Sequence, residues 1–299
     1  MKHKEEKRGE FFLLLCLLIQ SFFPLFANQG AQLFSPLLYL TYMIAISLPF
    51  LLVINLVRGD FLQLFKKEVF LQLMGVSIFV ILLPSLLIFW ATKDSSGINT
   101  ALLTQSEVIY ATILCAFLGE RITRSRLFGV LFILLGNIFI LYQGSLDLNR
   151  ADLILFLAPA FYPLGNVLAK KALQKVSWST VLLFRAFMGE VLLLLICLSL
   201  GENFRLPPRE LWFSLVFMGF GVCVLAKIFW YLGLQRMEVG KATAIIMTYP
   251  APAFLFAVLF FKETPTSQQL FGFFVICIGI YFILKTQSQQ YKFSAKQVF

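Results

Sequence analysis

The chain has 299 residues, 60% of them apolar and only 13% charged, with a formal net charge of +10. A soluble domain is nearer half apolar and a quarter charged, so this composition, with a mean hydropathy of +0.86, excludes an ordinary water-soluble enzyme and points to a bilayer as the solvent. The single histidine, His3, lies in the charged start of the chain, which excludes histidine-based metal sites and catalytic triads.

A basic stretch, 1–10, comes first. A spanning helix takes about 20 apolar residues. Runs of that kind fall at 11–28, 34–57, 69–91, 97–118, 122–143, 151–170, 178–200, 211–234, 241–261 and 267–285, and a polar tail, 286–299, follows. They predict an all-α membrane protein with ten transmembrane helices and loops too short to hold a soluble domain. The first run also reads as a signal peptide, with its basic start and the small residues near Ala27 to Ala31. Removing it would leave nine spans and break the internal symmetry described below.

With ten spans, Lys2, Lys4, Lys7, Arg8, Arg58, Lys66, Lys67, Arg121, Arg124, Arg126, Lys170, Lys171, Lys175, Arg236, Lys241, Lys285, Lys292 and Lys296 share one side. Only Lys93, Arg150, Arg205, Arg209 and Lys262 fall on the other. The positive-inside rule then places both termini in the cytoplasm, in the cytoplasmic (inner) membrane. The same asymmetry explains the net charge by contact with anionic lipid, so no nucleic-acid partner is expected. Cys16, Cys115, Cys197, Cys223 and Cys277 are scattered singly through apolar runs and read as packing residues. Asp60, Asp94, Asp147 and Asp152 stand at segment boundaries, which leaves no buried aspartyl pair, and neither G-x-S-x-G nor a Walker A loop occurs. No cofactor is implied.

The chain repeats itself. When 97–141 is laid on 240–284, the identities include Gly97/Gly240, Thr100/Thr243, Glu120/Glu263, Thr123/Thr266, Gly129/Gly272 and Gly136/Gly279. F-F-P-L at 22–25 also matches F-Y-P-L at 161–164, and I-F-W at 88–90 matches I-F-W at 228–230. Each half, 11–143 and 151–285, holds an odd number of spans, so the second must enter the membrane from the opposite side. Inverted repeats with proline-interrupted helices are the signature of secondary transporters.

This layout resembles the drug/metabolite transporter superfamily, EamA-type. The motifs are an apolar span ending in G-E-R-I-T (119–123), then R-L-F-G (126–129) and Gly136, with a second copy reading K-E-T-P-T (262–266), Q-L-F-G (269–272) and Gly279. The resemblance implies two five-helix halves and a carrier, often an exporter, for amino acids, nucleotides or other small metabolites. It also implies that spans four and eight line a central cavity. Two positions depart from the pattern: Glu107 stands where a proline is usual, as Pro250 is in the second half, and Tyr42 stands where an arginine is frequent, as Arg185 is.

A charge at the centre of a span costs about 2.5 to 3.5 kcal/mol on insertion scales and asks for a partner, a cavity or a function. Glu107 lies in span four on a stripe with Thr100, Thr104 and Ala111; Lys227 lies in span eight with Cys223, Trp230 and Tyr231 nearby. Facing one another, they would bind a zwitterion such as an amino acid, or form a structural ion pair. Glu107 is also the candidate for a coupling proton, so Glu107→Gln should abolish any pH dependence of transport. Arg185 is near enough to its helix start to snorkel to the headgroups, and Glu190 reads as either a functional group or a hydrogen-bonded structural carboxyl.

Pro24, Pro84, Pro159, Pro163, Pro250 and Pro252 fall within spans and free backbone carbonyls there. They read as plain kinks or as hinges. In the second case Asn28 and Asn166, close to Pro24 and Pro163, line the path. Gly129, Gly136, Gly272 and Gly279 read as close-packing points. The rival functions are a non-transporting assembly or sensor subunit and a lipid-modifying membrane enzyme. For the enzyme, no nucleophile cluster or Asp-rich motif is seen. Substrate identity, direction, coupling ion and oligomeric state are not encoded in any motif.

Overall fold

The computed structural model describes residues 2–117, 122–142, 149–234, 236, 245–246 and 248–297, and within these every regular element is helical. Of the residues used above, Gly119, Glu120, Arg121, Asp147, Gly240, Lys241 and Thr243 lie outside the described set.

The helical runs, in chain order, are α1 (Lys7–Leu33), α2 (Pro36–Val57), α3 (Lys67–Thr92), α4 (97–117), α5 (Arg124–Leu141), α6 (Arg150–Ala172), α7 (Trp178–Ser199), α8 (Arg209–Gly233), α9 (Pro250–Phe260) and α10 (Ser267–Gln297). Among the described residues, α1, α2, α3, α5, α6, α7 and α8 are the seven helices long and apolar enough to cross a membrane. The apolar part of α10, Ser267–Ile283, is shorter, as is α9. Large apolar side chains point outward along most runs, for example Val53, Leu71, Leu198, Phe213, Leu259 and Phe274, each more than half exposed. An apolar surface this continuous needs lipid to cover it.

Local sequence explains where helices begin. Ser35, Ser96, Thr123, Asn149 and Ser177 each accept a hydrogen bond from a backbone N–H in the first turn of the helix they precede. Pro36, directly after Ser35, fits the first helical position, where no N–H is needed. Two differences from the sequence reading appear at the termini. The basic stretch 1–10 is helical from Lys2 onward, held by Arg8 and Arg236 on Glu5, at 2.9 and 3.4 Å. At the other end α10 runs on to Gln297 because neither glycine nor proline occurs after Gly279 to stop it.

Five runs are irregular near mid-length, and a sixth, α9, starts at a turn. Helix α1 breaks at Ser21–Phe22, just before Pro24, and α6 narrows to a 3-10 turn at Ala158–Phe161 around Pro159. Wide π turns interrupt α3 at Ser77–Leu82, ahead of Pro84, and α8 at Phe217–Leu225, around Gly219 and Gly221. A 3-10 turn splits α4 at Thr104–Ser106, and α9 starts at Pro250 directly after a turn at Thr248–Tyr249. Such turns leave backbone groups and side chains free to face a cavity.

Packing follows the repeat. α1 lies on α8 and α3 on α6, while α2 meets α7, α4 meets α9 and α5 meets α10. The α5–α10 crossing is close enough to require glycine. A Cβ on Gly129 would stand 2.7 Å from the Gly279 carbonyl oxygen, and one on Gly136 would stand 2.8 Å from that of Gly272. The reciprocal approaches, Gly279 to Gly129 O at 2.7 Å and Gly272 to Gly136 O at 2.9 Å, complete an antiparallel contact.

At the end of the bundle carrying Arg58 and Lys66, Asp60 closes the α2–α3 loop against the start of α7. It accepts from Ser179 and from the Arg58 guanidinium, the latter at 3.0 Å. Burial alone would raise the Asp60 carboxyl, but hydrogen bonds from Ser179, Ser177 and Arg58 outweigh it and hold the group below the usual carboxylate range.

Candidate functional site

The irregular helices carry a cluster of polar and charged side chains. Glu107 (α4), Tyr162 (α6), Arg185 (α7), Cys223 and Lys227 (α8) and Tyr249, just ahead of α9, all lie deep among protein atoms, yet each keeps part of its surface open. The helices that carry them come from both halves of the repeat.

Electrostatic contacts run through the cluster. Glu107 and Lys227 feel each other's charge without a direct ion pair among the described residues, and Tyr162 lies within reach of both Glu107 and Arg185. Neutral groups hold the ends. Asn166 Nδ2 donates to Glu107 Oε1 at 3.4 Å, and Lys227 Nζ donates to Gln20 Oε1 on α1 at 3.3 Å. Thr104 and Tyr249 share a hydroxyl–hydroxyl bond of 3.0 Å, which ties α4 to the start of α9 beside Pro250. Tyr231 stacks on Trp178 with centroids 5.4 Å apart, and the Arg58 guanidinium covers the other ring of that pair at 4.9 Å. This column runs from the cluster toward the Arg58 end.

The structure thus brings together Glu107, Lys227, Asn166 and Tyr231, with Thr104 and Pro250 at the margin through Tyr249. Others of the expected set stand apart. Thr100 is fully buried and donates to the Ser96 carbonyl. Asn28 donates to the carbonyls of Thr92 and Ser95, both at 2.7 Å, so it ties α1 to the α3–α4 connection. Trp230 is partly open, and its backbone shares a hydrogen bond with Cys16. Arg185 turns inward to Tyr162, Cys223 and Tyr231 rather than snorkelling to the surface as its depth suggested. Glu190 is buried with Oε2 unpartnered, so it is not fully hydrogen-bonded as the structural reading supposed. Tyr162, Tyr249 and Gln20 escaped the sequence reading. The one sequence signal for them is position: Tyr162 and Tyr249 adjoin Pro163 and Pro250, where helices are irregular.

At the opposite end from Arg58, a polar cavity of about 900 Å3 opens between Asn28, Gln32, Lys93, Asn99, Glu263 and Gln269. Glu263 closes its inner wall. Its Oε1 and Oε2 accept from the backbone N–H groups of Gly97 and Ile98 at 3.1 and 3.0 Å, capping α4 as a bidentate carboxylate. A Cβ at position 97 would collide with that carboxylate. Burial pushes the Glu263 carboxyl up, against the two backbone bonds that pull it down. What aims Glu263 at α4 is Lys262, which takes a left-handed φ of 54° and ends α9, with Glu263 N bonding to Ala257 O at 3.1 Å. Glycine takes this conformation without a Cβ penalty, and the matched position of the first motif is Gly119. Lys262→Gly should therefore stabilise the protein by about 0.5 to 1 kcal/mol, measured as a higher midpoint of thermal unfolding in detergent. An unchanged or lower midpoint would mean that the lysine side chain contributes more than its backbone costs.

Similarity to known proteins accords with this architecture. The EamA-like transporter family matches residues 7–142 and again residues 149–285. An uncharacterized transporter, YyaM, of Bacillus subtilis is 23% identical over 204 residues, covering 65% of this chain and 66% of that protein. A probable amino-acid metabolite efflux pump of Salmonella typhimurium is 26% identical over 195 residues, covering 60% and 65%. The chain therefore spans just under two thirds of the length of these relatives. A solved crystal structure shares the fold with a TM-score of 0.68 at 19% identity, over 94% of this chain and 98% of that one. The chain belongs to the EamA-like transporter family, whose model it matches in both halves.

Proposed function

We propose that the protein is a secondary carrier that moves a small polar metabolite of the amino-acid type across the cytoplasmic membrane by alternating access, in the direction of export. The observation that carries this reading is the cluster itself: opposite charges, Glu107 and Lys227, held apart on helices from the two halves. A structural ion pair would close on itself, whereas here each charge is held by a neutral amide, Asn166 or Gln20. The carboxylate suits a substrate ammonium and the lysine a substrate carboxylate. Substrate contacts are assigned to Glu107, Lys227, Asn166 and Tyr231, with Thr104 and Pro250 supporting them. Glu107 is the candidate for a coupling proton.

The two halves, 11–143 and 151–285, are read as inverted five-span repeats with both termini in the cytoplasm. The antiparallel α5–α10 contact supports this, because the repeat maps Gly129 on Gly272 and Gly136 on Gly279 and so maps the contact onto itself. Mid-length irregularities in α1 and α6 and in α3 and α8 occur in matched pairs, as expected where halves rock about a central site. The name of the Salmonella relative, a probable amino-acid metabolite efflux pump, favours the substrate type and the direction.

The test is counterflow into liposomes holding the purified full chain, preloaded in turn with amino acids, nucleosides, sugars or organic anions. Saturable uptake of a labelled amino acid, lost in both Glu107→Gln and Lys227→Met, is expected. Uptake no greater than in empty liposomes for every class would overturn the carrier reading.

A further inference from the structure

Resting on the carrier reading above, we infer that α2 and α7 form a fixed strut, clamped to each other at both ends, and that access alternates without these two helices parting at either face. The clamps are copies of one device. Ser35 and Ser177, Asn55 and Cys197, Gly59 and Gly201, and Asp60 and Glu202 are each 142 positions apart, one position from the shift that aligns the glycine motifs. Ser35 and Ser177 cap the starts of α2 and α7. Each helix then ends at a glycine of left-handed φ, 70° at Gly59 and 67° at Gly201. No atom crowds either glycine, so the turn and not the space requires it. The chain reverses there through matched backbone bonds, Asp60 N to Asn55 O at 3.0 Å and Glu202 N to Cys197 O at 2.9 Å.

The acid after each glycine lands on the start of the other helix. Asp60 accepts from Ser179, and Glu202 Oε1 accepts from Ser35 Oγ at 3.1 Å. An arginine near each acid covers an aromatic ring beside the capping serine. Arg58 lies 4.9 Å from the Trp178 centroid, and Arg205 lies 5.4 Å from that of Phe34. Asn55 meets Ser179 at one end, and its match Cys197 meets Thr41 at the other, at 3.3 and 3.5 Å. Between the clamps Ile44, Leu51, Ala186 and Leu193 belong to one buried core. If the clamps were gates, opening one would pull the buried Asp60 from Ser179, or Glu202 from Ser35, in every cycle. Both are closed in the one structure, as a strut requires. Nor does either helix offer a point at which one end could bend away while the other stays packed. α2 and α7 are helical without interruption, even through Pro49, and the irregular turns fall in α1, α3, α4, α6 and α8. The halves then rock about the α2–α7 pair as an axis, and the irregular runs carry the motion.

Cysteine pairs test this in the full chain with its five native cysteines replaced: Ser35→Cys with Glu202→Cys, and Asp60→Cys with Ser179→Cys. A short bifunctional maleimide joins each pair, mass spectrometry of the joined peptides confirms the link, and each protein before linking is its own reference. Counterflow of an amino acid moved by the parent should change by less than about twofold on linking either pair or both, since a fixed contact does not move in the cycle. Uptake that stops on linking either pair would overturn the inference and make that clamp a gate. Spin labels give a second readout that leaves the clamps intact. Placed at the exposed Leu33 and Asn203 at one end, and at Val57 and Gln174 at the other, they should report one narrow distance per end, the same with and without the transported amino acid. A second distance at either end would overturn the strut. Failure of the parent to move any amino acid would instead remove the carrier reading, with the label distances still deciding whether α2 and α7 part.

Discussion

Gly136→Val should leave little folded protein. Its first side-chain carbon would stand 2.8 Å from a backbone carbonyl and 2.6 Å from Ile276 on α10. A flexible side chain could swing away, but the Gly272 carbonyl belongs to a helix that cannot move without opening the whole crossing. Overpacking of this kind costs about 3 kcal/mol or more where the backbone is the obstacle, a large share of a membrane domain's margin. Gly279→Val should be as damaging, since its Cβ would meet the Gly129 carbonyl at 2.7 Å. Gly221→Ala is the control, because the nearest atom to its new carbon is 3.6 Å away. The measurement is the yield of monodisperse protein on size exclusion, followed by thermal unfolding. Gly136→Val with the yield and midpoint of the parent would show that α5 and α10 are not locked at this crossing.

The second large effect separates a functional charge pair from a structural one. Lys227→Met should abolish transport and also destabilise the protein, because Glu107 would lose the opposite charge it senses across the cluster. Removing one member of a buried ion pair costs about 3 kcal/mol, and a smaller loss is expected here, where the charges interact without direct contact; replacing both by neutral groups is often harmless to stability. Glu107→Gln/Lys227→Met should therefore recover much of the lost thermal stability and none of the transport. A double variant that regained transport would make the pair a structural device, and a single variant as stable as the parent would show that the two charges do not interact.

Much of this architecture is legible in the sequence, because the bilayer imposes simple rules on composition. Apolar runs locate the helices, and a carboxylate and an ammonium inside such runs single out Glu107 and Lys227. The repeated glycines are legible as contacts for the same reason, since few residues allow backbones so close. Arg185 shows where the rules stop. Its distance from the helix start suggests snorkelling, but depth says nothing about which way a side chain faces, and the structure turns it to Tyr162 and Tyr231. Tyr162 and Tyr249 are hidden among many other aromatics, and an aromatic in an apolar helix carries no mark of the cluster. Asn28, read beside Pro24 as lining a path, gives its amide to two carbonyls and borders the polar cavity at the end opposite Arg58 rather than the Glu107 cluster. The π turns in α3 and α8 depend on how neighbouring helices pack, which no local pattern records.

The central claim is that one internal site is reached in turn from both sides of the membrane. Asn166→Cys tests it most directly, because Asn166 is exposed and bonded to Glu107. With the five native cysteines replaced and transport retained, a membrane-impermeant maleimide is applied to right-side-out and to inverted vesicles. Modification from both faces, slowed in each case by a transported amino acid, is the predicted result. Modification confined to one face, whatever the substrate present, would contradict alternating access through this site.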